Sequence, residues 1–474
     1  MYQDYTKDHP YATVAHVFND LIRIDNLDKS IESEIKSQLT YVDKSKEYQL
    51  RRMQKNPYTR NSEAYAQLSK ESKGDLWKES GNSLIVPSGF LYIIKNYVNN
   101  IIDHRKDTGP QVSLPWSTPK AAFELRDYQK EAIEIALKNY RGIINLATGL
   151  GKTKTAIYLI RQLKRNTLIV CPSKSIANQF YSELVETFGK SKVGFIGSGK
   201  YKPSIITVGI AASVCNRIDD IKALDLGVVV FDETHHTPAS TFYTVAEGLG
   251  TVGRMYGLTA TAFRSDGKDL LIHAACGEIL VQRDVAWGVA KGWLSQPYFI
   301  VRHVKTSGRD FKDDKLRAYK EHILNSKDMN DRLISDISAF VAASKFTLIL
   351  VDQIDHGDTL SKATGVAFAN GRDKGSEALI GSFNDGKIKS LIATDGLVGE
   401  GVDTRNVEVL IIANFTASKS AVLQAVGRGL RKTATKDKCI VLDYVPEGSS
   451  MLARHAGKRI SYYKEITHNV KIVQ

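Results

Sequence analysis

The chain has 474 residues, 42% of them hydrophobic and 25% charged, an ordinary globular composition with room for about three domains and without low-complexity or repeated tracts. Its formal charge of +13 and pI near 9.2 favour a polyanionic partner; residues 1–120 carry 17 Lys and Arg against 15 Asp and Glu, so most of the excess lies downstream. Cys171, Cys215, Cys276 and Cys439 are too scattered for a zinc site or disulfide framework, no apolar run approaches the ~20 residues of a membrane span, and the opening Met1-Tyr2-Gln3-Asp4 is unlike a signal peptide, so a reduced, cytoplasmic location is expected.

In chain order, residues 12–24 read as strand, and residues 31–39 as helix with acidic residues near its start. Residues 44–80 are polar and without clear period. Arg51, Arg52, Lys55 and Arg60 lie there among Tyr48, Tyr58 and Tyr65, a mixture that suits either nucleic acid or a solvated surface. Val86-Pro87-Ser88-Gly89-Phe90 and the apolar run 91–98 close a small α+β N-terminal domain, residues 1–118, and Pro110, Pro115 and Pro119 mark a linker.

Residues 119–300 are expected to form a first motor-like domain and 301–446 a second. Leu125-Arg126-Asp127-Tyr128-Gln129 leads into a helix over 130–139. A glutamine amide donates and accepts at once, as the adenine edge requires, although Gln129 also suits a helix N-terminus. The focal stretch follows: Gly142-Ile143-Ile144-Asn145-Leu146-Ala147-Thr148-Gly149-Leu150-Gly151-Lys152-Thr153 joins an apolar strand to a helix through a glycine-rich turn. N–H groups at such a helix start cradle phosphates, Lys152 reaches the β/γ oxygens, and the Thr153 hydroxyl is left for Mg²⁺. Leu146 stands where the full phosphate-loop pattern has glycine.

Strands and helices then alternate through 167–171, 176–188, 193–196, 205–210 and 227–231. A parallel sheet with helices on both faces follows, with ligands at the carboxyl ends of its strands. Pro172 and Ser173 sit at one such end. Asp232-Glu233-Thr234-His235-His236 sits at another, placing Asp232 to hold Mg²⁺ and Glu233 to orient an attacking water; helix capping by the two carboxylates is the plainer reading. Trp287 and Trp293 flank Gly288 and Gly292 between the halves, as hinge packing or as a strand-parting element, with core packing preferred.

The second alternating block, from residue 331, has no phosphate loop. It carries Ala393-Thr394-Asp395-Gly396, Gly399-Glu400-Gly401-Val402-Asp403, and Gln424 to Arg431 on a helix where Gln424, Arg428 and Arg431 would share one face. Two guanidiniums so placed can stabilise charge on a transferring phosphate. The basic tail 447–474 either touches nucleic acid or packs back on the motor.

Taken in order, L-R-D-Y-Q, A-T-G-L-G-K-T, D-E-T-H, Gly257-Leu258-Thr259-Ala260-Thr261-Ala262 and Q-A-V-G-R-G-L-R resemble the motifs of superfamily 2 DExH helicases, and within them most resemble the phage UvsW-type branch-migration helicases. That resemblance implies two tandem RecA-like parallel-sheet domains sharing one ATP site, with ATP and Mg²⁺ as cofactors. Lys152, Asp232, Glu233, Gln424, Arg428 and Arg431 would then act in catalysis. Arg126, Gln129, Ala147 to Thr153, Gly401 and Asp403 would bind nucleotide, and Thr153 and Asp232 the metal. His235, Thr259 and Thr261 would couple hydrolysis to the nucleic acid, and Pro172, Ser173 and Thr394 would touch it. The partner implied is branched or forked DNA, acted on by a monomeric motor with no membrane and no zinc. A duplex-DNA translocase of restriction type, an RNA helicase, and a nucleic-acid-binding protein with a silent ATP site are the alternatives.

Overall fold

The computed structural model describes residues 13–60, 62–234, 239–260, 267–312, 314–397, 405–433 and 435–473. By internal contacts the chain divides into residues 1–146 with 152–282, and residues 147–151 with 283–474.

The N-terminal part is a five-stranded sheet ordered Lys78–Ser80, Ser83–Pro87, Leu21–Asp25, Val14–Val17, Asn100–Asp103. It is antiparallel except where Val14–Val17 runs parallel to Asn100–Asp103. Its strands alternate because one face alone is covered: Ala15, Val17, Ile22, Ile24, Leu84 and Val86 are buried and their neighbours are not. Residues 40–75 leave this sheet altogether. A two-stranded ribbon, Thr40–Val42 with Lys73–Asp75, carries a helical hairpin made of Lys44–Gln54 and Glu63–Glu71. The segment 103–120, expected as a linker, is strapped to the domain that follows. Thr108 Oγ1 donates to Leu226 O at 2.8 Å, Arg254 Nε pairs with Asp107 at 2.6 Å, and Trp116 stacks on Phe188.

The next sheet has eight strands ordered Lys200–Lys202, Val193–Gly197, Ile206–Ile210, Thr167–Cys171, Val228–Phe231, Arg254–Thr259, Arg141–Leu146, Ile279–Arg283. Its six inner strands are parallel. The central ones read as unbroken apolar runs because helices cover both faces, and Val228–Phe231 is buried at every position.

The second motor domain holds seven parallel strands ordered Ala367–Ala369, Ser390–Thr394, Thr347–Val351, Val409–Ala413, Lys438–Pro446, Gln296–Val304, Val470–Val473. Gln296–Val304 straddles the boundary expected at residue 300. The basic tail belongs to this sheet: the Ser450–Ile466 helix packs on Lys438–Pro446, and Val470–Val473 pairs with Gln296–Val304. The helix is held by Arg459, fully buried, whose Nε and Nη2 donate to Asp443 at 2.7 and 2.8 Å; Tyr463 Oη donates to the same carboxylate at 2.8 Å.

Candidate nucleotide site

Arg141–Leu146 delivers the chain into residues 147–151, and the Lys152–Leu163 helix starts at once. Gly149 and Gly151 have φ of +89° and +80°, a left-handed conformation that strains any side chain. The Leu150 N–H closes a turn on Ala147 O at 3.0 Å. Left-handed residues set into a turn before a helix curve the backbone into a concave cradle, the shape and polarity that suit a phosphate.

Asp232 ends the Val228–Phe231 strand, its N–H bonded to Val170 O at 2.9 Å. Burial, reinforced by the adjacent Glu233 carboxylate, raises the Asp232 carboxyl well above the ordinary carboxylate range, and Lys152 acts in the opposite sense. Glu233 has φ of +45°, rare for a residue with a side chain and a form of strain that clusters at functional sites. Its Oε1 lies 2.7 Å from Lys152 Nζ. The phosphate-loop lysine and the glutamate of the D-E pair, 81 residues apart, thus meet in one ion pair. One carboxyl paired with the ammonium and a second, buried one beside it that resists ionisation form a donor set short of positive charge, which fits a divalent cation.

Other expected residues hold structural positions. Gln129, buried, accepts from the Arg126 N–H at 2.9 Å through Oε1, so it caps the Asp127–Leu137 helix; Arg126 Nη1 donates to Tyr128 Oη at 2.9 Å. That helix packs on Lys152–Leu163. Ser173, after Pro172, caps Lys174–Phe188 by accepting from Ile176 N at 3.4 Å. Thr259 is buried at the tip of Arg254–Thr259, and Thr394 ends Ser390–Thr394. His235, Thr261, Gly401 and Asp403 fall outside the described residues. Asn145, which motif reading passed over, pairs in register with Thr259; its amide nitrogen, oriented to satisfy its neighbours, reaches Thr259 O at 3.2 Å and Ala260 O at 3.1 Å. A lone polar residue inside G-I-I-N-L is the signal for it.

In the second domain Gln424 and Arg428 lie four apart on the Lys419–Gly429 helix, Gln424 buried and Arg428 half-buried. Arg431 corrects the expected shared face, because the helix ends at Gly429. Lys436 is the physical reason: its buried ammonium donates to Gly429 O at 2.6 Å and Arg431 O at 3.0 Å, taking carbonyls the next turn would have used. Arg431 sits in the turn beyond and bridges to Leu294. Trp287 and Trp293 are both half-buried, with Arg283 over the Trp287 ring at 5.1 Å.

Residues 122–264 match the family described as type III restriction enzyme, res subunit, and residues 338–433 match the helicase conserved C-terminal domain. The chain is 27% identical over 381 residues to the DNA 3'-5' translocase XPB2 of Sulfurisphaera tokodaii, across 71% of this chain and 85% of that protein. It is 23% identical to the DNA 3'-5' helicase XPB of Mycobacterium tuberculosis, across 74% of this chain and 66% of that one. Among solved structures, Saccharomyces cerevisiae Dbp5 bound to RNA and ADP BeF3 superposes with a TM-score of 0.54 at 16% identity, covering 74% of this chain and 89% of that chain; it speaks to fold alone. With an N-terminal motor match, a C-terminal helicase match and two tandem RecA-like sheets in that order, the chain is a superfamily 2 helicase, an ATP-hydrolysing enzyme.

Proposed function

We propose that the protein is an ATP-dependent DNA helicase that unwinds or branch-migrates forked and junction DNA, of the UvsW-type group within the superfamily. The observation that carries the ATP-driven part is the 2.7 Å meeting of Lys152 with Glu233 beside buried Asp232, at the carboxyl ends of parallel strands. DNA as the track is supported by the names of the relatives, a DNA 3'-5' translocase and a DNA 3'-5' helicase, and by the charge of +13.

In this reading the cradle 147–151 holds the phosphates, and Lys152 releases Glu233 to bind them. Thr153 and Asp232 would hold Mg²⁺, which supplies charge neutralisation at the phosphates. Glu233, freed, orients the attacking water and accepts its proton. Arg126 and Gln129 take the adenine end, and Gln424, Arg428 and Arg431, with Gly401 and Asp403, supply the charge and closure that complete hydrolysis. His235, Thr259 and Thr261 pass the change to DNA held by Pro172, Ser173 and Thr394.

The match of residues 122–264 to a restriction-enzyme subunit favours one second reading, a translocase that moves on duplex without parting it. ATP hydrolysis by wild type and Glu233→Gln, with no nucleic acid, single strand, duplex, a four-way junction and RNA, separates the two when strand separation is followed in parallel. DNA-stimulated hydrolysis, lost by about 100-fold or more in Glu233→Gln, with junctions resolved faster than duplex, is the expected result. Duplex stimulation without separation selects the translocase. No hydrolysis under any condition overturns the motor.

A further inference from the structure

The helical hairpin formed by Lys44–Gln54 and Glu63–Glu71 has no core of its own. Neither Lys44–Gln54 nor Glu63–Glu71 contains a buried residue. Ordinary helices in a domain bury an apolar stripe, so a pair that buries none is held for another purpose. Its charge is distinctive as well: seven Lys and Arg against three Glu, while residues 1–120 as a whole carry only two more bases than acids. Lys46 with Glu71 and Arg51 with Glu47, each at 2.7 Å, tie the helices internally. Arg52, Lys55 and Arg60 are exposed and make no ion pair among the described residues.

The turn that leaves the first helix, residues 55–60, is tied by its own hydrogen bonds. Asn56 Oδ1 accepts from Tyr58 N at 3.0 Å, and Thr59 Oγ1 donates to Met53 O at 2.8 Å, so the turn presents Tyr58 outward at 94% exposure between Lys55 and Arg60. An aromatic ring held in water on a rigid turn, flanked by unpaired cations, has the chemistry of a base-stacking platform with phosphate contacts.

The root is equally fixed. Asp43 N–H bonds Ser72 O at 2.7 Å across the neck, and Asp43 Oδ1 caps the first helix by accepting from Ser45 and Lys46. Asp43 Oδ2 then takes Lys268 Nζ at 2.7 Å, and a Cβ on Gly267 would meet Val42 O at 2.8 Å. Gly267 and Lys268 belong to the first motor domain, so the root of the hairpin is tied to that domain.

We propose that residues 44–71 form a finger that enters DNA where duplex meets single strand, Tyr58 stacking on the first unpaired base while Arg52, Lys55 and Arg60 neutralise the phosphates beside it. This rests on the DNA-helicase reading above. Full-length wild type, Tyr58→Ala, Tyr58→Trp and the triple variant Arg52→Gln, Lys55→Gln, Arg60→Gln are compared on a forked DNA with 2-aminopurine at the first unpaired position. Thermal midpoints check that all four fold. Wild type and Tyr58→Trp should quench the probe and part the fork, whereas Tyr58→Ala should lose the quench and slow separation by about tenfold. The triple variant should bind the fork with a salt slope lower by about three. Equal quenching and separation in Tyr58→Ala, or loss in Tyr58→Trp as deep as in Tyr58→Ala, overturns the finger. Failure of the wild type to hydrolyse ATP with any DNA overturns the function reading instead, and the quenching measurement, which needs no ATP, still reads the finger.

Discussion

Lys152 and Glu233 show how a single pair can hold a site at rest. Each side chain is largely buried, and each has the other as a charge partner at 2.7 Å, so neither stands uncompensated before phosphate arrives. A nucleotide must therefore outbid Glu233 for Lys152, and Glu233 becomes available as the lysine leaves. His356 shows the opposite strategy, a titratable group kept neutral. It is fully buried, its Nδ1 lies 3.0 Å from Tyr319 Oη, and burial lowers its pKa from 6.5 to about 4. Because the folded ring takes a proton less readily than the unfolded one, the unfolded state binds more protons between those values. Stability is therefore fully present above about 6.5 and falls as pH drops toward 4, by about 3 kcal/mol for this group. Urea unfolding of the second domain at pH 7.5 and pH 5, with His356→Phe beside wild type, measures it. A variant that loses stability with acid as steeply as wild type would show that His356 is not responsible.

The Ser450–Ile466 helix depends on one buried contact. Arg459 and Asp443 are both fully enclosed, and the arginine also donates to Thr416 O and Tyr444 O at 3.1 Å. Removing one partner leaves the other charged and buried, so Arg459→Met should cost about 3–5 kcal/mol, and adding Asp443→Leu should recover much of it. Denaturant midpoints of the single and double variants test this; equal destabilisation in both would mean the loss is one of packing. The same contact explains why the tail was ambiguous in sequence, where Arg454, Lys458, Arg459 and Lys464 look alike and only the fold picks Arg459 to bury. Local signals were legible: the turn at 147–153 and the D-E pair at 232–233 each lie within a few residues of a strand end, and apolar runs marked those strands. Arg431 was misread because what stops its helix, Lys436, lies beyond the motif. The hairpin 44–71 was illegible for the same reason it is interesting, since helices that bury nothing leave no hydrophobic period to read.

The N-terminal sheet and the first motor domain share one interior. The cluster beneath the N-terminal strands includes Leu271 and Ala274 of the motor, with Tyr243 and Leu270 packed against it. Arg141, at the start of the phosphate-loop strand, is buried and makes no ion pair among the described residues. It donates instead to Gly250 O at 2.7 Å, to Asn19 O at 3.0 Å through Nε, and to Ala275 O, so a motor residue closes the turn of the N-terminal sheet. Burial lowers its pKa only to about 10, so it stays charged at neutral pH and its carbonyl partners stay satisfied. Two domains with a common core and a common cation should unfold together, which makes the N-terminal sheet, the finger and the strand Arg141–Leu146 parts of one cooperative unit. Hydrogen exchange on the full chain checks this through the strands Leu21–Asp25 and Arg141–Leu146, whose slowest amides should open with the same free energy. In Arg141→Leu the orphaned carbonyls should lower both by about 1–3 kcal/mol. If Leu21–Asp25 exchanges at a distinctly lower free energy in the wild type, or if only one strand responds to the substitution, the N-terminal domain is an independently folding module and its finger would ride on a joint rather than on the motor.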